Sequence, residues 1–510
     1  MPFQRRPQIP VKRAKIITFD AKPKGVHDAN QLFRVCIAGT RVHFKKLLGC
    51  QKLACLHKIA CIFHICRCRG SKKDRTQAYR QYGLFHVVLL LAAPASAQIQ
   101  QEDYMPFDPA QAKLGQLLFY DKILSGNQNI SCGTCHHHDF AGTDGLSLGI
   151  GEGGVGLGPK RTAGTGLDAI KKRIPRNAPA LWNLGHKDIQ VLFHDGRLSV
   201  SDQFGNGFDS PAEEWLPQGL DNILAAQSLF PLTAQFEMAG NPGENEVTGA
   251  VHERIDYGWP ILAKRVRTIP EYGRMFVEAF PHINAPEEVT IVEIGNALGA
   301  FMNSEWRSFD SPYDAWLAGT PLPEAAERGR RIFFEKAPCA TCHIPPLFTD
   351  HDFHALGLPA FGPGRTRRFD PVPRDVGRMG ETDLLEDAYK FRTPSLRNVA
   401  LTAPYGHNGA YPTLAGIIRH HLDPAAARAQ WKIADANLPY APWIAAVDAA
   451  INEDVRESAR QAKAAQAINV DLSTGEIGDL VAFLNALTGS SARDRPLGRP
   501  VRVPSGLNVD

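Results

Sequence analysis

Two copies of one short pattern constrain this chain more than any other feature. Cys132-Gly133-Thr134-Cys135-His136 is answered 207 residues later by Cys339-Ala340-Thr341-Cys342-His343. In an exported protein, C-x-x-C-H is the attachment signal for a c-type haem: two thioethers hold the porphyrin and the His is the proximal iron ligand. A structural zinc half-site and a redox C-x-x-C pair compete with that reading. The His directly after each pair, and an export signal upstream, favour haem. His137 and His138 are expected to face solvent or a propionate.

Each motif follows a similar segment. Ala112-Lys113-Leu114-Gly115-Gln116-Leu117-Leu118-Phe119-Tyr120-Asp121-Lys122 and Ala326-Glu327-Arg328-Gly329-Arg330-Arg331-Ile332-Phe333-Phe334-Glu335-Lys336 share A-x-x-G, an aromatic pair, an acid and Lys, which marks a duplicated unit. Each unit also ends in an apolar helix. Pro286-Glu287-Glu288 opens the first, with Ile291, Ile294, Leu298 and Phe301 on one face. Ser473 and Glu476 form a capping box for the second, followed by Ile477, Leu480, Val481 and Leu484 at helical spacing. Phe309 to Tyr313 reads as the linker between units, and the Ala-rich stretch 426–470 as helical. Gly- and Pro-rich connections make the rest irregular, so the expected fold is mainly α.

The net charge of +4 hides a division. Residues 1–97 carry 19 Lys and Arg against 3 Asp, leaving the remainder with 38 basic and 50 acidic residues. The body is therefore acidic, which argues against nucleic acid as a partner. Six of the ten cysteines precede residue 70, and the other four are the two C-x-x-C-H pairs. Residues 72–97 resemble a signal peptide: Lys72, Lys73, Arg75 and Arg80, an apolar run from Leu84 to Ala93, then Ala95-Ser96-Ala97 before Gln98. The run is too short for a spanning helix, which needs about 20 residues. No transmembrane helix is expected in the mature form, and residues 1–71 are expected to be an artefactual or unstructured basic leader.

Further segments accompany the haem motifs: Arg176-Asn177-Ala178-Pro179, Phe193-His194-Asp195-Gly196-Arg197, Phe236-Glu237-Met238-Ala239-Gly240, and the run from Phe391 through Thr393-Pro394-Ser395-Leu396-Arg397-Asn398 to Tyr405-Gly406-His407-Asn408-Gly409. With them, residues 103–490 resemble the di-haem cytochrome c peroxidase/MauG family. The resemblance implies two cytochrome c-like domains, a peroxidatic one over 98–308 and an electron-transfer one over 309–510, each with one covalently bound c-type haem.

It also implies roles. Glu237 is similar in position to the family carboxylate that moves the peroxide proton, the plain alternative being a helix-start Glu. Gln227 matches the second distal polar group. Asn177, Thr402 and Pro404 match the oxygen donors of a Ca2+ between the haems. His407 meets a propionate or helps set the inter-haem region. At the sixth ligand of the second haem the peroxidases carry Met and MauG carries Tyr. Here that position is His421, so a bis-His haem of lowered potential is expected. His420 is the competitor, while Met238 and Met379 match no family spacing.

Two departures stand out. The stretch Leu148 to Gly158 has no His where the peroxidases cap the resting first haem, so an open distal site that needs no reductive activation is expected. Its G-x-G-x-x-G lacks a preceding strand and a following helix, so it is not read as a nucleotide loop. Second, His194 stands where the family usually has a bridging Trp. Either His194 or Trp182 carries the hop between haems, or coupling is weaker.

The leading expectation is a periplasmic peroxidase that reduces H2O2 to water with electrons from a small donor protein, a cytochrome c or cupredoxin, entering at the second haem. The alternatives are a MauG-like oxidase acting on a partner protein and a non-catalytic di-haem electron carrier. The acidic body favours a basic donor. A homodimer stays open.

Overall fold

Helix α1 (Pro109–Tyr120) starts where the Asp108 carboxylate accepts the N–H groups of Ala110 and Gln111, with Pro109 at the first helical position. Helix α2 (Ile291–Glu305) starts at a capping box between Thr290 and Glu293. Pro286–Glu288 is only a 3-10 turn ahead of it, because the Thr290–Glu293 pair, and not Pro286, satisfies the first free N–H groups. The structure, a computed structural model, describes residues 98–365 and 372–510; the expected leader (1–71) and signal segment (72–97) lie outside the described residues.

The second half repeats the plan with α3 (Glu324–Arg331), α4 (Leu414–Leu422) and α5 (Thr474–Asn485). The expected Ser473–Glu476 capping box closes α5 at its start. The shared A-x-x-G has a physical reason. A Cβ on Gly115 would lie 1.9 Å from the Ala297 carbonyl oxygen of α2, and one on Gly329 would lie 1.9 Å from the Asp479 carbonyl oxygen of α5. In each half the first and last helices cross backbone to backbone at that glycine. Leu114, Leu118, Phe119, Ile294, Leu298 and Phe301 fill the first crossing, all buried. Each such side chain contributes about 1.5–3 kcal/mol by burial.

Strand is scarce. β1 (Val191–Leu192), β2 (Leu198–Val200) and β3 (Phe208–Asp209) form one small antiparallel sheet, and β4 (Phe353–His354) pairs with β5 (Phe391–Arg392). The turn between β1 and β2 carries Phe193 to Arg197. The halves interlock: Leu146 and Ile150 share a cluster with Ala441 and Ile444, Leu148 packs with Leu358 and Trp431, and Ala492 and Val503 return to the first-half core. The Ala-rich stretch divides into helices at Pro424–Gln430, Ala445–Glu453 and Val455–Ala464.

The Phe309–Tyr313 segment is a packed joint and not a loose linker. Ser311 caps the helix Pro312–Leu317, and the buried Asp314 accepts Arg397 Nη1 at 2.8 Å. No helix among the described residues is long and apolar enough to cross a membrane.

Candidate haem centres

The first C-x-x-C-H motif forms a single helical turn, Cys132–Cys135, closed by Ser131 and Thr134. All four motif thiols are free. The two following imidazoles are oriented alike: Nδ1 of His136 donates to the Gly142 carbonyl at 3.0 Å, and Nδ1 of His343 to the Phe348 carbonyl at 3.0 Å. That bond leaves Nε2 as the metal-facing atom in each half. Burial holds both rings below the ordinary imidazole range, His343 at about 4, with His421 as the second cause there. They are therefore neutral, the state a metal requires. Two free thiols and an imidazole anchored through Nδ1 fit a c-type haem at each motif; the His136 ring also meets the Pro179 backbone.

His137 and His138 face neither solvent nor open space. His137 is fully buried and accepts the Asp139 N–H at Nδ1, 3.1 Å. His138 is bonded to the Tyr120 phenol and to Glu305. The chain after the motif turns back under the ends of α1 and α2, which takes both rings inward.

Glu237 lies on a π-turn, Gln235–Ala239. Two glycine segments clamp this turn by its backbone. Glu152 N–H donates to the Glu237 carbonyl at 3.0 Å, and Gly126 N–H to the Met238 carbonyl at 2.8 Å. A Cβ on Gly151 would lie 1.9 Å from the Phe236 carbonyl oxygen, and one on Gly126 would lie 1.8 Å from that of Ala239. The loop 148–158 is in turn stapled by the buried Arg161, which donates to the carbonyls of Ile150 (2.7 Å), Gly151 (2.8 Å) and Gly156 (2.7 Å). The missing His was legible in the sequence; the loop's second task, holding the Glu237 turn, was not. Burial raises the Glu237 carboxyl, and Arg197 and then Arg365 oppose the rise. Gln227 is half-buried on the helix Ile223–Ser228, and its side chain makes no hydrogen bond among the described residues.

His194 Nε2 donates to the Asn177 carbonyl at 3.1 Å, and its own carbonyl accepts Arg392 N–H at 2.8 Å. Burial, then the Arg176 charge, pushes His194 down to about 4. His407 stacks on Phe391 with ring centroids 3.5 Å apart and planes at 8°, and burial pushes it down to about 3. Asn177 N–H donates to the His407 carbonyl at 2.9 Å, and Asn177 Nδ2 to the Leu146 carbonyl at 2.7 Å. Its Oδ1 has no hydrogen-bond donor among the described residues, an oxygen that suits a hard cation. Thr402 closes a 3-10 turn Val399–Leu401, and Pro404 lies two residues on, beside Gly409. Trp182 does not join this group: its ring meets Trp306 edge-on at 5.2 Å and lies under Arg495.

Sequence reasoning passed over the charges nearby. Asp195, with no exposed surface, accepts Arg176 at 2.6 Å, Arg197 at 3.0 Å and Arg365 at 2.9 Å. Arg176 also makes a bidentate pair with Asp375. Burial alone would raise the Asp195 carboxyl, and the three guanidinium groups outweigh it and hold it well below the usual range.

In the second half, the His421 ring faces that of His343 at a centroid distance of 6.5 Å. Two imidazoles bound to one metal from opposite sides at about 2 Å each stand roughly 6 Å apart between centres. His421 Nδ1 donates to the Ile417 carbonyl at 2.8 Å, leaving Nε2 free. His420 points elsewhere. Its Nδ1 pairs with the Tyr411 hydroxyl and its Nε2 with the Leu356 carbonyl, both at 2.8 Å.

Residues 109–321 match the family model described as di-haem cytochrome c peroxidase. The chain is 27% identical over 319 residues to methylamine utilization protein MauG of Methylorubrum extorquens, covering 62% of this chain and 70% of that protein. It is 27% identical over 324 residues to cytochrome c551 peroxidase of Pseudomonas aeruginosa, covering 62% and 73%. Among solved structures, a MauG-like protein associated with microbial copper homeostasis superposes with a TM-score of 0.51 at 28% identity, covering 79% of this chain and 96% of that one. Two C-x-x-C-H motifs in tandem, oriented by the same carbonyl bond, agree with these likenesses: the chain is similar to the di-haem cytochrome c peroxidases, over residues 109–321 for the family model.

Proposed function

We propose that this protein is a periplasmic di-haem peroxidase, reducing H2O2 to two waters with two electrons from a small donor protein and two protons. Bound haem supplies the iron that accepts peroxide in the first half and stores and passes electrons in the second. The observation that carries the reading is the asymmetry between the halves: a clamped carboxylate, Glu237, beside a His-free loop in the first, and two facing imidazoles, His343 and His421, in the second.

Cys132, Cys135 and His136, the last fixed by the Gly142 carbonyl, would hold the first cofactor. Glu237, as carboxylate, takes the proton from the near oxygen of peroxide and returns it to the departing oxygen, so that water leaves. Its turn is held at the backbone, so the carboxylate keeps its place through the transfer. Gln227 orients peroxide. Cys339, Cys342, His343 and His421 would hold the second cofactor, which would supply electron storage and relay. Asn177 Oδ1 and the carbonyls of Thr402 and Pro404 bind one Ca2+ between the halves, next to His194 and His407, whose rings lie on the route between cofactors. The two cytochrome c-like domains divide near residue 308, and the segment 72–97 directs export.

The test is turnover: the holoprotein with a pre-reduced basic cytochrome c or cupredoxin should consume one H2O2 per two electrons, and Glu237→Gln should not. Absence of peroxide-dependent donor oxidation would overturn the reading. The likeness to MauG proteins supports a second one, oxidation of a partner protein; peroxide-driven modification of a protein without net donor oxidation would favour it.

A further inference from the structure

Tyr120 ends α1 fully buried, with its ring against the first haem-attachment turn: a Cβ on Gly133 would lie 2.4 Å from two Tyr120 ring carbons. Its hydroxyl is hydrogen-bonded to His138 Nδ1. On the far side of that imidazole, Nε2 donates to Glu305 Oε1 at 2.9 Å. The Glu305 carboxylate also accepts the N–H groups of Leu497 (2.9 Å) and Gly498 (2.8 Å). In the tautomer whose Nε2 donates to the carboxylate, Nδ1 is an acceptor and the phenol is the donor. Phenol, imidazole and carboxylate thus form a proton path in one line.

The rings continue beyond it. Tyr120 and His138 centroids are 5.7 Å apart, His138 and Trp306 4.7 Å, and Trp306 and Trp182 5.2 Å. Both indole N–H groups are buried with no hydrogen-bond partner among the described residues. Neither indole can hand off a proton when it loses an electron, whereas Tyr120 can. The duplication supplies an internal comparison: the second unit has Phe334 where the first has Tyr120, and Pro345 where it has His138. Nothing in the C-x-x-C-H architecture therefore demands either residue.

We propose that Tyr120 is a third redox centre, a proton-coupled one-electron donor to the first haem once peroxide has oxidised it. One electron passes from the phenol to the cofactor, which is reduced by one equivalent. The phenolic O–H breaks and its proton forms an N–H bond at His138 Nδ1. The resulting imidazolium is stabilised by Glu305, and a neutral tyrosyl radical remains. A donor electron later restores the phenolate, which recovers its proton from Nδ1. Trp306 and Trp182 extend the path on which the electron vacancy travels, and Tyr120 is where it rests. The inference relies on the peroxide reading above.

The experiment is to mix the donor-free holoprotein with one equivalent of H2O2, freeze it and record EPR, with ordinary and ring-deuterated tyrosine. The expected result is an organic radical whose hyperfine lines narrow on deuteration, and which disappears in Tyr120→Phe and falls in His138→Phe. A tyrosyl signal of unchanged intensity in Tyr120→Phe overturns the assignment. So does the lack of a tyrosyl signal while the resting ferric signal of the first haem is lost. A ferric signal that persists with peroxide defeats the peroxidase reading, and this inference with it.

Discussion

His343 and His421 face each other with ring centroids 6.5 Å apart, while the neighbouring His420 has both ring nitrogens engaged within the protein. His421→Ala should turn the second haem from low-spin to high-spin by EPR. His420→Ala should leave it low-spin and lower stability by about 1–3 kcal/mol, since the Tyr411 hydroxyl and Leu356 carbonyl lose their buried partner. A spin change in the His420 variant would reverse the assignment.

Glu237 must be ionised to take the peroxide proton, and burial raises its carboxyl above the ordinary value. The rate of peroxide reaction should therefore fall with decreasing pH, through a range above that of an exposed glutamate. Glu237→Gln should lower the rate by roughly 10²–10⁴ and remove that pH limb. Stopped-flow absorbance of the first haem measures both, and an unchanged limb in the variant would assign it to another group.

The glycine clamp is testable without touching the carboxylate. Gly151→Ala places a methyl 1.9 Å from the Phe236 carbonyl oxygen and 2.8 Å from that of Glu237. It should displace the π-turn and slow peroxide reaction while both haems remain attached. Gly478→Ala, on α5 with nothing within 4 Å of the new methyl, should keep full activity and gain about 0.5–1 kcal/mol. Equal activity in the two variants would show that the loop does not hold Glu237.

Asp195 anchors three arginines from separate segments. Asp195→Asn leaves them without their shared counter-charge and should cost about 3–5 kcal/mol. The folded carboxyl is depressed, so its stabilisation is fully present above the unfolded value of about 3.9. It is lost as pH falls through that value toward the folded one. Urea titrations at neutral and acid pH should show wild type and variant converging as pH drops.

What the sequence disclosed was local or periodic. The haem motifs, the Ser473–Glu476 cap and the apolar faces of α2 and α5 depend on residues a few positions apart. The repeated A-x-x-G was visible too, although the reason for its glycine, contact with a helix 150 or more residues away, was not. The same limit hid the Arg176–Asp195–Asp375 pairs and the Tyr120–His138–Glu305 line, which join residues far apart in the chain with no shared period to betray them. His137 and His138 were expected to face solvent or a propionate, and contacts with Asp139, Tyr120 and Glu305 instead take both rings inward. Family spacing pointed to His421 with its neighbour His420 as the competitor, and the two differ because α4 turns one toward Tyr411 and the other toward His343.

The most direct test of the account is low-temperature EPR of the diferric mature protein before and after one equivalent of H2O2. The account predicts a high-spin signal from the first haem that vanishes with peroxide, beside a low-spin bis-His signal from the second. Two low-spin signals indifferent to peroxide would contradict it and leave a di-haem electron carrier.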